Sequence, residues 1–155
     1  TLMEQQTLDL IPVVACVIKY ATSAVLPVGI EFRVSSVDDG SPRFLMGCRL
    51  PEKNYGGLWE CPGGCGRDGE TPIDTAIREL KEELDLVVRT SAMQPVFEIV
   101  IPGYRVKFLY VTVAENMTMK LTAHSVIKLI QLSQMHQYPL TPATAAFMIH
   151  LLQKK

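Results

Sequence analysis

The chain has 155 residues and a formal net charge of −1, a length that suits one domain, residues 1–155, with one sizeable core. Apolar residues make up 48% and charged residues 20%, the balance of a globular fold rather than of a disordered tail. Without a basic excess, polymeric DNA or RNA is not expected as a partner, whereas a small anionic ligand needs only local charge.

Residues 1–10 carry no basic region followed by an apolar stretch, so they do not read as a signal peptide. Position 1 is Thr1, which is compatible with a start inside a longer polypeptide. Residues 11–20 are rich in β-branched and apolar types and predict a buried strand. Residues 21–43 hold apolar pieces and then the turn cluster Asp38-Asp39-Gly40-Ser41-Pro42, which reads as a long hairpin arm or an inserted loop. Residues 44–50 predict the next strand, 51–57 a polar loop and 58–61 a short extended piece. Gly63, Gly64, Gly66 and Gly69 make residues 62–69 a tight, irregular loop.

A helix follows with a well-marked start. Thr71 suits the N-cap, Pro72 the first helical position, and Asp74 completes a capping-box pair. Ile73, Ala76, Ile77, Leu80 and Leu84 then share one face. Strands are expected over 95–101 and 104–114, joined at Pro102-Gly103, and over 126–132. Thr141-Pro142 opens a second helix to about Leu152. No apolar run is long enough to span a bilayer, so no membrane is expected as a partner. With no export signal, Cys16, Cys48, Cys61 and Cys65 are expected as reduced thiols in a cytoplasmic protein. Strands interleaved with two helices give an α/β domain.

The chemistry concentrates in the first helix. Glu79, Glu82 and Glu83 fall within an arc of roughly 100°, directed away from the apolar face. Like charges this close repel by a few tenths of a kcal/mol per pair. A divalent cation removes that cost, and Mg²⁺ prefers carboxylate and carbonyl oxygens, keeps several waters and recruits phosphates. The glycine-rich loop brings backbone close, and a helix N-terminus favours an anion. A solvated acidic helix face is the plain alternative.

The wider stretch, GCGRDGETPIDTAIRELKEELDL, resembles the Nudix box, G-x5-E-x7-R-E-U-x-E-E-x-G-U with U a bulky aliphatic residue. Gly64, Glu70, Arg78, Glu79, Leu80, Glu82, Glu83 and Leu86 fall in register. A chance match of the charged and glycine positions has a probability on the order of one in ten million. Asp85 stands where the box has its second glycine, and Asp tolerates a left-handed backbone better than most residues. The preceding Trp59-Glu60-Cys61-Pro62-Gly63-Gly64 resembles the W-E-F-P-G-G entry of the MutT-like branch.

The resemblance implies a mixed β-sheet sandwiched between helices (α/β/α). It also implies Mg²⁺-dependent hydrolysis, with Mn²⁺ the alternative ion, of a phosphoanhydride in a nucleoside diphosphate derivative. With a (d)NTP the products are a monophosphate and pyrophosphate. Glu82 and Glu83 then bind the metal, Glu79 completes that site or takes the proton of the attacking water, and the Gly63 carbonyl adds a ligand. Glu70 and Arg78 are expected as a supporting ion pair, with direct catalysis the alternative. The family often supplies one more acid from a loop, but residues 121–125 hold none, and Glu115 is the nearest candidate.

Candidates for touching substrate are the backbone of Gly63 and Gly64, Arg49 and Tyr138. Arg49 offers a phosphate contact or a plain pairing role, and Tyr138 a stacking face or core packing. Residues 138–144 hold no asparagine, the residue with which MutT-like readers of oxidised guanine meet the base. Pro102 lies 16 residues past the box, a spacing found in ADP-ribose pyrophosphatases, which keeps ADP-ribose or a nucleotide sugar as the alternative substrate. A nucleotide-binding module without catalysis is the alternative of another class, and the intact carboxylate trio speaks against it. Cys61-x3-Cys65 lacks the four ligands of structural zinc. The expected partner is a small nucleotide, and a homodimer is left open.

Overall fold

β1 (Ile11–Tyr20) is a run of mostly β-branched and apolar residues, and its side chains alternate between two buried layers, as in a strand covered on both faces. Val14, Cys16 and Ile18 enter one core, Ala15 and Val17 the other. The computed structural model describes residues 10–20, 24–28, 31–35, 43–112, 118–120 and 124–154. The same division runs along β4 (Arg43–Arg49), with Leu45 on the first side and Phe44 and Met46 on the second. It recurs along β8 (Tyr104–Val111), where Leu109 and Val111 lie opposite Val106 and Phe108.

Each core is closed by one helix. α1 (Pro72–Leu84) inserts Ala76, Leu80 and Leu84 into the first, and α2 (Pro142–Gln153) inserts Ala143, Phe147 and Met148 into the second. Burying a leucine of this kind stabilises the fold by about 1.5–3 kcal/mol. The result is the expected mixed sheet between helices. No helix among the described residues is long and apolar enough to cross a membrane.

The main sheet has the order β10-β4-β1-β8-β7, with β10 at His124–Gln131 and β7 at Met93–Ile101. β1 and β8 run parallel, and their neighbours pair antiparallel. β1 and β4 touch only through Lys19↔Phe44 and Tyr20↔Arg43. Beyond that point they separate. β5 (Trp59–Glu60) pairs with Gly47 and Cys48 of β4, while β6 (Gly63–Cys65) pairs with Val13, Val14 and Ala15 of β1. The parting strands thus bring Gly63 and Gly64 against the flank of α1 that carries Glu79 and Glu83.

Several boundaries differ from those expected. Residues 63–65 of the predicted loop are strand β6: with no side chain, Gly63 approaches β1 so closely that a Cβ there would lie 1.9 Å from the Val14 carbonyl oxygen. β7 begins at Met93 rather than 95, absorbing Pro95 at a shift of register between Pro95 and Phe97. β10 starts at His124 and stops at Gln131, where a 3₁₀ turn (Leu132–Gln137) begins. Within 21–43, β2 (Ala24–Val28) and β3 (Glu31–Ser35) form the expected hairpin arm, and β9 (Thr118–Lys120) joins them in a second sheet. The turn cluster at 38–42, the strand end at 113–114 and Glu115 lie outside the described residues.

Candidate active site

The position of α1 is fixed at both ends. The Asp74 N–H donates to Thr71 Oγ1, and the Thr71 N–H donates to Asp74 Oδ2, each at 3.1 Å. At the other end Asp85 takes the left-handed conformation (φ 53°, ψ 34°) that glycine has in the family pattern. Its carboxylate is held by Lys81 one turn back. These ends set the rotation of the helix, and with it the side on which each glutamate emerges.

Arg78 is the hub of that side. Its Nε donates to Glu70 Oε2 at 2.8 Å and its Nη2 to Glu70 Oε1 at 3.0 Å. Nη1 donates to Glu79 Oε1 at 2.8 Å and to Glu82 Oε2 at 3.2 Å, and Nη2 also reaches the Cys65 carbonyl at 2.8 Å. All five guanidinium N–H groups therefore have acceptors. The Arg78 hydrogen bonds, then the Arg67 N–H, bring the Glu70 carboxyl down to about 2. Glu70 and its partners in turn hold Arg78 above its ordinary value. Glu70 and Arg78 thus tie the loop after β6 to the helix.

Two of the three box glutamates turn inward, a correction to the expectation that all point away from the apolar side. Glu82 is 49% exposed, but Glu79 is only 14% exposed. β6 lies over that flank of the helix, and its glycines leave room for the carboxylates. A Cβ on Gly64 would meet the Glu79 carboxyl carbon at 2.4 Å. The Gly63 N–H donates to Glu83 Oε2 at 3.2 Å. Burial, then the charge of Glu79, then that of Glu60, push the Glu83 carboxyl up to about 9. The Gly63 N–H and Arg49 oppose that rise without cancelling it.

Among the described residues no three acidic, histidine or cysteine side chains already converge as a cation cage, because Arg78 Nη1 lies between Glu79 and Glu82. The donor chemistry nevertheless suits a hard divalent ion. Glu79, Glu82 and Glu83 are oxygen ligands on one flank of α1, beside the backbone of Gly63. A half-buried carboxyl whose charged form is disfavoured first by desolvation and then by neighbouring acids is one that a cation would stabilise in its ionised form.

Across β6 from these carboxylates lies a cavity of about 490 Å³, bounded by Gly63, Gly64, Arg49 and Glu60 and walled by apolar side chains such as Val106 and Phe108. Ile101 and Tyr104, on either side of the Pro102-Gly103 turn, also line it. Arg49 Nη1 donates to both Glu60 oxygens at 3.1 and 3.0 Å, and Arg49 Nε to the Asn54 carbonyl at 2.6 Å. Tyr138 is not among the lining residues. It packs edge-on against Trp59 at 5.2 Å, with the Lys128 amine 5.5 Å from each ring.

The sequence reading missed Glu60 and His124. Glu60 lies inside the entry motif with no role of its own there, and His124 has no partner at ligand spacing along the sequence. His124 Nε2 meets Glu60 Oε2 at 3.1 Å. The strand register that places His124 opposite Arg49 joins the two segments. The four cysteines are free, and burial, then Glu60, lift the Cys61 thiol to about 12.

The family model for the NUDIX domain matches residues 31–149. Two Mycobacterium tuberculosis proteins named "Putative 8-oxo-dGTP diphosphatase 3", from strains CDC 1551 / Oshkosh and H37Rv, are 44% identical to the chain over 48 residues. That stretch is 31% of this chain and 22% of theirs, so the chain spans about a fifth of the length of the curated relatives it matches. Among solved structures, MutT from Aliivibrio salmonicida and Vibrio cholerae superposes with a TM-score of 0.66 at 20% identity, covering 94% of this chain and 98% of that one. The NUDIX domain of Shewanella oneidensis NrtR, solved with ADP ribose, superposes with a TM-score of 0.67 at 16% identity over 94% and 88% of the two chains. MutT from Methanosarcina mazei gives 0.60 at 19% identity over 95% and 97%.

Proposed function

The chain belongs to the Nudix family, and from that premise we propose that it hydrolyses a phosphoanhydride bond in a nucleoside triphosphate, giving the monophosphate and pyrophosphate. The observation that carries this reading is the placement of Glu83, a half-buried carboxyl on the flank of α1 covered by β6, where the Gly63 N–H donates to it at 3.2 Å and where burial, then Glu79 and Glu60, push it up to about 9. Such a group is costly to ionise unless a cation faces it. It lies just across a glycine strand from a cavity with an arginine at its edge.

In this reading Glu79, Glu82 and Glu83, with the Gly63 backbone, hold Mg²⁺ or Mn²⁺. The ion, when bound, neutralises phosphate oxygens and lowers the pKa of a coordinated water. Glu79 either helps hold it or accepts the proton of the water that attacks phosphorus. Glu70 and Arg78 act as positioning residues, holding Glu79 and the Cys65 carbonyl in place. Arg49 reaches a phosphate with its Nη2, whose two N–H groups have no acceptor among the described residues. The apolar walls receive the base, and water supplies the oxygen that ends on the released monophosphate or on pyrophosphate.

The 48-residue likeness to proteins named for 8-oxo-dGTP supports a (d)NTP substrate. ADP-ribose is the second reading, favoured by Ile101 and Tyr104, which carry the Pro102-Gly103 turn to the cavity wall. Incubation with Mg²⁺ and a panel of (d)NTPs, 8-oxo-dGTP, ADP-ribose and nucleotide sugars separates them. Pyrophosphate from a triphosphate supports the first reading, AMP plus ribose phosphate the second, and orthophosphate alone contradicts both.

A further inference from the structure

His124 is 6% exposed, and its Nε2 lies 3.1 Å from Glu60 Oε2. A carboxylate beside Arg49 can only accept, so Nε2 carries the proton and donates it. The other ring nitrogen, Nδ1, is buried and meets no partner among the described residues. Among the described residues the ring therefore has one polar attachment, Glu60. Room for it is provided across the strand pair: a Cβ on Gly47 would lie 2.5 Å from His124 Cδ2 and Cγ. β4 thus gives up a side chain where the imidazole stands.

Glu60 is shared. It takes both Nη1 bonds of Arg49 and the His124 bond, at 3.1, 3.0 and 3.1 Å. With Nη1 committed to Glu60 and Nε to the Asn54 carbonyl, the planar guanidinium is fixed in orientation. Nη2 is left without an acceptor among the described residues, on a side chain that lines the cavity. Neither Glu60 nor His124 belongs to the carboxylate set on α1.

We propose that His124 is a positioning residue which, by anchoring Glu60, fixes the Arg49 guanidinium at the cavity edge for a substrate phosphate. This rests on the hydrolase reading, since it presumes a phosphorylated ligand in the cavity. Arg49 is flexible by nature, and freezing it before binding lowers the ordering cost that the ligand must otherwise meet. The phosphate is present both before and during reaction, so loss of the anchor weakens binding more than turnover.

The test is calorimetric titration with the α,β-methylene analogue of dGTP and Mg²⁺, which reads binding without turnover. His124→Leu is expected to weaken binding about tenfold, as expected for a displaced charge-assisted contact. His124→Gln, which keeps an N–H near the Nε2 position, is expected to restore most of it. In an Arg49→Ala background His124→Leu is expected to add little further loss, because the two act on one contact. Gly47→Ala, which takes the space of the ring, is expected to behave like His124→Leu. With a hydrolysable substrate, KM is expected to rise while kcat stays within about twofold. Equal losses in the wild-type and Arg49→Ala backgrounds, or no recovery with His124→Gln, overturn the proposal. Wild-type protein that binds the analogue but is indifferent to His124→Leu overturns this proposal alone. Wild-type protein that binds no analogue overturns the nucleoside triphosphate reading with it.

Discussion

Gly63 and Gly64 are adjacent, yet a methyl group on each would do different things. On Gly63 it would strike the β1 backbone, 1.9 Å from the Val14 oxygen. β1 cannot yield without losing its pairing to β8, so Gly63→Ala is expected to lower the melting temperature clearly, by an overpacking cost of about 1–3 kcal/mol. On Gly64 it would meet the Glu79 carboxylate at 2.4–2.7 Å, the far end of a movable side chain. Gly64→Ala is therefore expected to melt near wild type and to lose turnover by about 10²-fold, because Glu79 is displaced. Parallel melts and rate assays check the pair. Equal melting of the two variants would contradict the assignment of the second glycine to the carboxylate site.

Two carboxyls of the site link stability to pH with opposite signs. Glu83, raised to about 9 in the fold, keeps a proton that the unfolded chain releases near about 4.3. Between those values the folded state binds more protons, so stability falls as pH rises. Metal-free protein is expected to lose melting temperature from about pH 5 to pH 9, less so with Mg²⁺ present. Glu83→Gln is expected to flatten that slope. Glu70, lowered to about 2 by Arg78, acts the other way. Its contribution is complete above the unfolded value and is lost as pH falls from about 4 toward 2.

At the level of elements, α1 carries the site because its ends are fixed. Thr71→Ala removes a cap whose loss costs about 1 kcal/mol, measurable by chemical denaturation. Asp85→Gly relieves a left-handed non-glycine residue and is expected to stabilise by about 0.5–1 kcal/mol, less the small exposed pair with Lys81. Leu80, fully buried against β1, is expected to cost about 2–5 kcal/mol as alanine. These local features were legible in the sequence, because capping, helical period and left-handed tolerance all act within a few residues. β6 was not legible. Gly63-Gly64-Cys65 has no strand pattern, and it is a strand only because β1 lies beside it. The inward turn of Glu79 and Glu83 was hidden for the same reason, since a helical wheel does not say which flank a neighbouring strand will cover.

Over the fold as a whole, the candidate site is built where β1 and β4 part after two residue pairs. The opening lets β5 and β6 enter and sets Glu60, Gly63 and Gly64 between the cavity and the carboxylates. The apolar run of β1 and the apolar face of α1 announced an α/β domain, and the resemblance to the Nudix box implied the layered α/β/α form. It could not announce the meeting of His124 with Glu60, 64 positions apart, because that follows from the register of β10 on β4.

Everything in the functional reading turns on Glu79, Glu82 and Glu83 holding a cation against a diphosphate. Titrating Mn²⁺ by its paramagnetic signal into wild-type protein and Glu83→Gln, with products identified in the same samples, tests this directly. Wild-type protein should bind the ion and release pyrophosphate from a triphosphate. Glu83→Gln should keep its fold, bind the ion more weakly and turn over at least about 10²-fold more slowly. Equal ion binding and equal product release by the two proteins would contradict it.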